Sequence, residues 1–529
     1  MASLSAMGYA TNYIPCSTSF FPKKPPQFNN RRRNPVVKFT CKAKNGETSP
    51  GKFDRRDVLL GLGGLYSTSL AANPMALANP VFPDYKNCID ATQPNKTPIN
   101  CCPPPVDPSR VKDFFPSATT VNIRKPAHSF EVGSDYYKKY TSAIIKMKNL
   151  SPSDPRNFRQ QANVHCANCD EGYTQSGSPK LFYSVHNSWL FFPWHRWYVY
   201  FFEKICQNLI DDDTFTLPFW NWDAPEGMQI PSIYNSGLTS PLYDCFRNPE
   251  HLPPTVIDLE WSYGEKPVDP KIQIENNLST MYKQMITQSK TPSDFFGKAY
   301  RAGDDTPDVK TTAGQIEKTP HNIMHSWTGT SDDRSNPVDL DRDWLFTSFI
   351  FYNEEAKPVR VSIKDCLDIT KLGYKYEDVP IPWLDAKPKP RAKAKTLPSA
   401  PDPAQVFPIT LDKPINVIVK RPKKSGTGSS EEILVIEGIE YDRRNYVKIN
   451  VYINEDDVNA CRSNNTEFLG SFSNLPHGHQ MTANGSTKFR ISQVLEELGA
   501  RDYDKVLVTL IPKSNPVKIN GIKIEFEDS

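Results

Sequence analysis

The run HNSWLFFPWHRWYVYFFE (residues 186–203) decides how this chain is read. Nine residues separate His186 from His195, about 900° of ideal helix, so one continuous helix would set the two imidazoles on opposite faces. Pro193 opposes such a helix, because it lacks an N–H and its ring clashes with the preceding turn. The run therefore predicts His186 on a loop and His195 in the first turn of the next helix, with Trp197 to Ile210 as its candidate body. The surrounding aromatic residues would exclude water and fix the imidazole rotamers. Taken alone, the same aromatic stripe also suits plain core packing.

Other histidines extend the pattern. Of nine in the chain, His165, His186 and His195 fall within 31 residues. His321 and His325 stand four apart in PHNIMH (320–325), behind a proline that suits a first helical turn. At that spacing both rings face one way and can share a metal ion. Imidazole suits copper, zinc and iron, so these five form a candidate metal centre. Glu317, four residues before His321, is near enough to orient a bound water.

Residues 79–385 mix helical stretches with long proline-containing loops. Tyr137, Tyr140, Ile144 and Met147 share a face of a helix predicted from Tyr136 to Lys148. Met281 to Ser289 is a shorter candidate. Residues 386–402, AKPKPRAKAKTLPSAPD, have no apolar period and read as the core of a linker (386–408) with a protease-accessible site. Beyond it the period becomes two. Residues 447–454 alternate strictly, and 506–511 and 517–524 also suit strands. Residues 409–529 are thus predicted as an antiparallel β-sandwich or barrel.

Composition bounds the rest. The 529 residues carry 63 basic and 60 acidic side chains, with 38% hydrophobic residues, enough for sizeable cores. Residues 1–78 hold 11 of the basic and 3 of the acidic groups. The remaining body is therefore mildly acidic, which argues against nucleic acid as a partner. No apolar run is long enough for a stable membrane span. No acidic residue precedes Glu47, as in organelle transit peptides. Arg55-Arg56, the apolar stretch 58–65 and Ala76-Leu77-Ala78 then form a twin-arginine export signal. Two stacked signals imply two membranes crossed, a plastid stroma and then the thylakoid lumen. In an exported protein, Cys88, Cys101, Cys102 and Cys166 can form two disulfides that pin the proline-rich arm. Cys206, Cys245, Cys366 and Cys461 read as packed thiols.

The chain resembles the plant polyphenol oxidases, the catechol oxidase and tyrosinase group of type-3 copper proteins. The resemblance rests on QQANVHCANC (160–169), the run at 186–203, LPFWNWD (217–223), PHNIMHSW (320–327), DWL (343–345), KDCLD (364–368) and GSFSNLPHGH (470–479). It implies a mainly α fold, a four-helix-bundle dicopper core with long loops, followed by the β-sandwich. It implies His165, His186 and His195 on a first copper, and His321 and His325 on a second. Cys169 would form a thioether with His186, and disulfides would join Cys88 to Cys102 and Cys101 to Cys166. Glu317 and Asn322 would hold a water that helps deprotonate a phenol. Two Cu(I) ions deliver two electrons together to O₂, so a catechol becomes a quinone without release of superoxide. The C-terminal domain would shield the site until the linker is cleaved.

The chain departs from that pattern in one place. The family's third ligand to the second copper lies in a run like HHxNVDRMW, and no such run is present. After His325 the next histidine is His477, and Trp327 is followed by TGTSDDRSNPVDLDRD (328–343), too polar for a bundle helix. His128, His251, His477 and His479 are poor substitutes. The expected activity is o-diphenol oxidation by O₂, with a defective second copper site. The alternative is a non-catalytic copper-binding or interaction protein of the lumen, and a third reading is a specialised phenol hydroxylase.

Overall fold

The computed structural model describes residues 80–92, 98–244, 247–262, 266–305, 313–329, 347–390, 397–423, 430–442, 445–474 and 482–528. The presequence, most of the polar run at 328–343, the middle of the linker (391–396), Cys245, His477 and His479 lie outside the described residues.

Among the described residues, five α-helices of seven or more residues carry the central region. Helix α1 (Asp135–Lys148) starts where the Ser134 side chain accepts the Tyr137 N–H, and buries Tyr140, Ala143, Ile144 and Met147. That stripe packs against Ile205 and Cys206 of a long helix. Helix α2 (Phe158–Cys169) is capped by Asn157. Helix α3 (Phe191–Ile210) starts six residues before the predicted Trp197. Pro193 sits in its first turn, where its missing N–H has no intrahelical partner to lose. Asp211, in the left-handed region at φ 54°, ends it. Helix α4 (Pro270–Tyr282) continues as a wider turn through Thr287. The sequence showed only its C-terminal part, because the residues buried earlier are Gln273, Asn277, Ser279 and Thr280, which give no apolar period. Helix α5 (Asn322–Thr328) follows a kink at Thr319, whose φ and ψ are −155° and 120°.

After residue 408 the regular structure among the described residues is strand apart from the short helix Ser492–Glu497: β1 (Ile409–Leu411), β2 (Ile415–Lys420), β3 (Ser430–Asp442), β4 (Val447–Ile453), β5 (Phe468–Asn474), β6 (Thr482–Arg490), β7 (Lys505–Pro512), β8 (Val517–Ile519) and β9 (Gly521–Asp528). One antiparallel sheet runs β1-β8-β3-β6, with β9 also on β3; the other runs β2-β7-β4-β5. Residues of both sheets, among them Leu434, Ile436, Ile449, Val451, Val508 and Leu510, fill one core. Gly438, at φ 59°, bends β3 at a register shift, and a Cβ there would meet Asn520 at 2.4 Å. Helix and strand are present in comparable amounts among the described residues, which corrects the mainly α expectation. The strand-rich C-terminal region and the long loops between helices account for the difference.

The alternation in β4 gives it one polar face, yet every residue from Val447 to Ile453 is buried. Its polar face packs on the central region. Lys448, with a fully buried side chain, reaches Glu260 Oε2 at 3.0 Å, and Ser471 Oγ donates to the same oxygen at 2.6 Å. In the opposite direction, Lys283 Nζ donates to Ser463 O at 2.6 Å. Ser473 Oγ donates to Lys318 O at 3.1 Å, next to the kink that introduces α5.

Candidate metal centre

His165 lies one helical turn before Cys169 near the end of α2, so both point the same way. His195 lies in the second turn of α3, and its Nδ1–H donates to the Phe191 carbonyl at 2.8 Å. That donation fixes the tautomer and leaves Nε2 as a lone pair facing the site. His186 sits on the loop, as predicted. Its Nδ1 lies 2.8 Å from Glu317 Oε1, and the Asn187 N–H donates to the same oxygen at 2.9 Å. Asn187 is left-handed at φ 57°, a conformation asparagine tolerates, and this turns its N–H toward Glu317. His321 Nδ1 lies 3.1 Å from Asn322 Oδ1.

The five imidazoles form a continuous series. Ring centroids lie 5.3 Å apart for His165 and His195, 6.0 Å for His195 and His186, 5.9 Å for His186 and His321, and 4.5 Å for His321 and His325. Phe191 touches three of them, His186, His195 and His321. Trp194 covers His165 and His195. The aromatic stripe therefore serves as core and as the wall of the site.

The donor set fits a metal ion at one end of this series. His165 Nε2 and His195 Nε2 lie 3.3 Å apart. At imidazole–metal distances of about 2.0–2.1 Å, one ion shared by both would subtend roughly 105°. Burial pushes the pKa of both rings well below the usual histidine range, reinforced by neighbouring imidazoles. Burial also lowers His325 to about 4. All three are neutral near pH 7, as metal ligation requires. Burial raises the Glu317 carboxyl well above its usual range, opposed by the Asn187 N–H and Lys318. Its Oε2 is buried with no hydrogen-bond partner among the described residues.

The fold gathers the predicted residues into two pairs and a bridge. His165 and His195 converge, and His321 and His325 converge at the other end. His186 lies between the pairs, turned to Glu317. Glu317 and Asn322, expected to hold a water, both contact histidines. Cys169, expected to bond to His186, is a free buried thiol whose Sγ lies 3.6 Å from His165 Nε2 and 3.9 Å from His195 Nε2. The i, i+4 spacing of His165 and Cys169 repeats that of His321 and His325, a signal for this contact that the sequence carried unused. Phe191 gave no signal beyond its place in the aromatic run. Disulfides Cys88–Cys102 and Cys101–Cys166 are present, and the second ties the arm to the residue after His165. His251 is stacked on Trp327 at 4.6 Å.

Comparison with known proteins places three families along the chain. Residues 155–348 match the common central domain of tyrosinase, 339–389 the polyphenol oxidase middle domain, and 407–526 the chloroplastic polyphenol oxidase C-terminal domain. A chloroplastic polyphenol oxidase of Malus domestica is 44% identical, over 94% of this chain and 93% of its own. Polyphenol oxidase A1, chloroplastic, of Vicia faba is 40% identical over 615 aligned positions covering 100% of both chains. The solved structure of latent apple tyrosinase matches with a TM-score of 0.70 and 42% identity, covering 79% of this chain and 100% of that one. Among the described residues, no helix is long and apolar enough to cross a membrane.

Proposed function

The chain belongs to the plant polyphenol oxidase family of oxidoreductases, and from that premise we propose that its site is organised for copper-dependent oxidation of o-diphenols to o-quinones by O₂. The observation that carries this reading is the series of five imidazoles, with two neutral Nε2 atoms 3.3 Å apart at one end. In this reading His165, His186 and His195 hold the first copper, and His321 and His325 supply two ligands to the second. Bound copper would supply the paired electron transfer to O₂. The residues of the chain do the rest. Phe191 and Trp194 exclude water, and the Phe191 carbonyl and Asn322 orient their histidines. Glu317 Oε2, buried and aimed at no other described group, serves through a water as the acceptor for a phenol proton. Cys169 and His186 are the pair that the family's thioether would join.

We further propose that the bundle formed by the central helices spans 79–385, and that residues 409–529 shield it until the 386–408 linker is cut. The presequence directs the protein to the chloroplast and then, through the twin-arginine machinery, to the thylakoid lumen. The second copper set is incomplete in this chain. The Vicia faba alignment has 615 positions against the 529 residues of this chain, so this chain carries gaps totalling about 86 positions against that relative. The chain as it stands then binds about one copper tightly and oxidises catechol negligibly, a ligand-count argument that also allows a non-catalytic copper-binding role. Copper analysis and oxygen uptake on the purified, linker-cleaved protein test this. Two coppers with robust catechol oxidation would remove the defect from the reading, and no copper at all would overturn the reading itself.

A further inference from the structure

We propose that residues 383–389 form a strap, fixed to the central region at Trp383 and docked on the Ser463–Thr466 turn at Lys389, that keeps the C-terminal region bound after the chain is cut at 391–396. The inference rests on the reading of residues 409–529 as a shield. It adds a second step to removal of that shield: the cut fragment must still dissociate. The two ends of the strap hold different partners. Trp383 Nε1–H donates to Asp223 Oδ2 at 2.8 Å, and its ring packs with Ile323 and Trp327 of α5. A few residues on, Lys389 pairs in parallel with Asn465 between β4 and β5, and its carbonyl accepts the Thr466 N–H at 3.3 Å. Pro388 between them is buried. Lys387 Nζ lies 3.0 Å from Glu497 Oε1, but its side chain is half exposed and the pair adds little by itself. Backbone pairing and the buried proline therefore set the register of the dock.

The same turn is held a second time. Lys283, one residue beyond the end of α4, donates to the Ser463 carbonyl at 2.6 Å and to the Asn465 carbonyl. Two attachments on one turn act as linked binding sites, so when one opens the other holds the fragment until the first closes again. Nearby, Gln288 and Arg490 exchange two hydrogen bonds, at 2.9 and 3.1 Å. Downstream of 391–396 the chain already belongs to the C-terminal region. The Pro401 carbonyl accepts the Ile418 N–H at 3.0 Å, and Val406 and Phe407 pack on the core between the two sheets. A cut at 391–396 thus breaks the covalent path and leaves the docking contacts of both stumps in place.

The test replaces residues 391–396 of the full chain with a specific protease recognition sequence and cuts it under native conditions. The two fragments should co-elute in gel filtration at the mass of the uncut chain. A second chain carries the recognition sequence between Asp385 and Ala386, so that the cut leaves 386–390 on the C-terminal fragment and the strap bridges nothing. Its fragments should dissociate about tenfold faster, for a lost backbone hydrogen bond and the packing around it. Should the second chain fail to fold, hydrogen exchange on the first gives another readout: the Thr466 amide should be equally protected before and after the cut. Separation of the fragments on cutting at 391–396, equal dissociation rates for the two cuts, or loss of Thr466 protection overturns the proposal. Fragments that stay together while the α5 amides exchange as fast as in the separated central fragment overturn the shield reading instead and leave the strap standing.

Discussion

The two ends of the histidine series are built differently. His165 and His195 stand on helices of 12 and 20 residues, inside a core shared with Trp194, Trp197 and Phe201 and tied to the N-terminal arm by Cys101–Cys166. His321 and His325 stand on or beside a helix of seven residues that follows a kink. That short helix leans on its surroundings: Ile323 and Trp327 join a cluster with Trp261 and Met281, and the C-terminal sheet contacts the kink through Ser473. One end of the site is built on its own longer helices. The other depends on tertiary contacts with the central cluster and, through Ser473, with the C-terminal sheet, so it is the end that a change in those contacts would disturb.

The comparison breaks most visibly if the short end is repaired. Inserting a family-type HHxNVDRMW segment between Thr330 and Asp343 should supply a third imidazole and raise catechol turnover at least about 100-fold from a negligible base, since even an indirect partner of a metal ligand is worth about 10–100-fold. Oxygen uptake and copper per chain measure it. Unchanged values would show that the missing ligand is not the cause.

A smaller effect separates the two ends directly. His195→Ala should weaken copper binding by more than about 10–100-fold, while His321→Ala should leave tight copper nearly unchanged. Copper titration of both variants decides it, and the reverse order would mean that the short helix is the stronger site.

The dependence on the C-terminal sheets can be sharpened at Lys448. Lys448→Met would leave Glu260, only 10% exposed, without its cation, at a cost of about 3–5 kcal/mol. Chemical denaturation should show that loss, with the charge-neutral double variant Lys448→Met/Glu260→Gln recovering part of it.

The smallest expected effect concerns pH. Burial lowers the pKa of Lys283 from 10.5 to about 7, against the opposing pull of Glu260, Glu467 and Glu497. The unfolded chain keeps this proton up to its ordinary pKa, so between pH 7 and 10.5 the unfolded state binds more protons. Stability from this group then rises with pH across that window and gains nothing below it. Melting temperatures at about pH 7 and about pH 9 should differ less in Lys283→Met than in the unmodified chain; equal differences would remove Lys283 from the interface energetics.

Much of this was legible beforehand. The positions of Pro193 and the i, i+4 pair placed His186 on a loop and His321 and His325 at the start of a short helix. The period of two located the strands. Where burial involves polar side chains, the pattern failed: the start of α4 is packed through Gln273 and Asn277, and β4 hides Lys448 and Asn450 against the central region.

By itself, then, the sequence determined which histidines to group as candidate donors and which segments are helix or strand, because spacing and periodicity are local properties of the chain. Only the tertiary structure decided that Cys169 meets His195, that His186 turns to Glu317, and that the polar face of β4 is an interface. Those contacts join residues far apart in sequence, and packing against a distant partner leaves no period in the chain that could announce it.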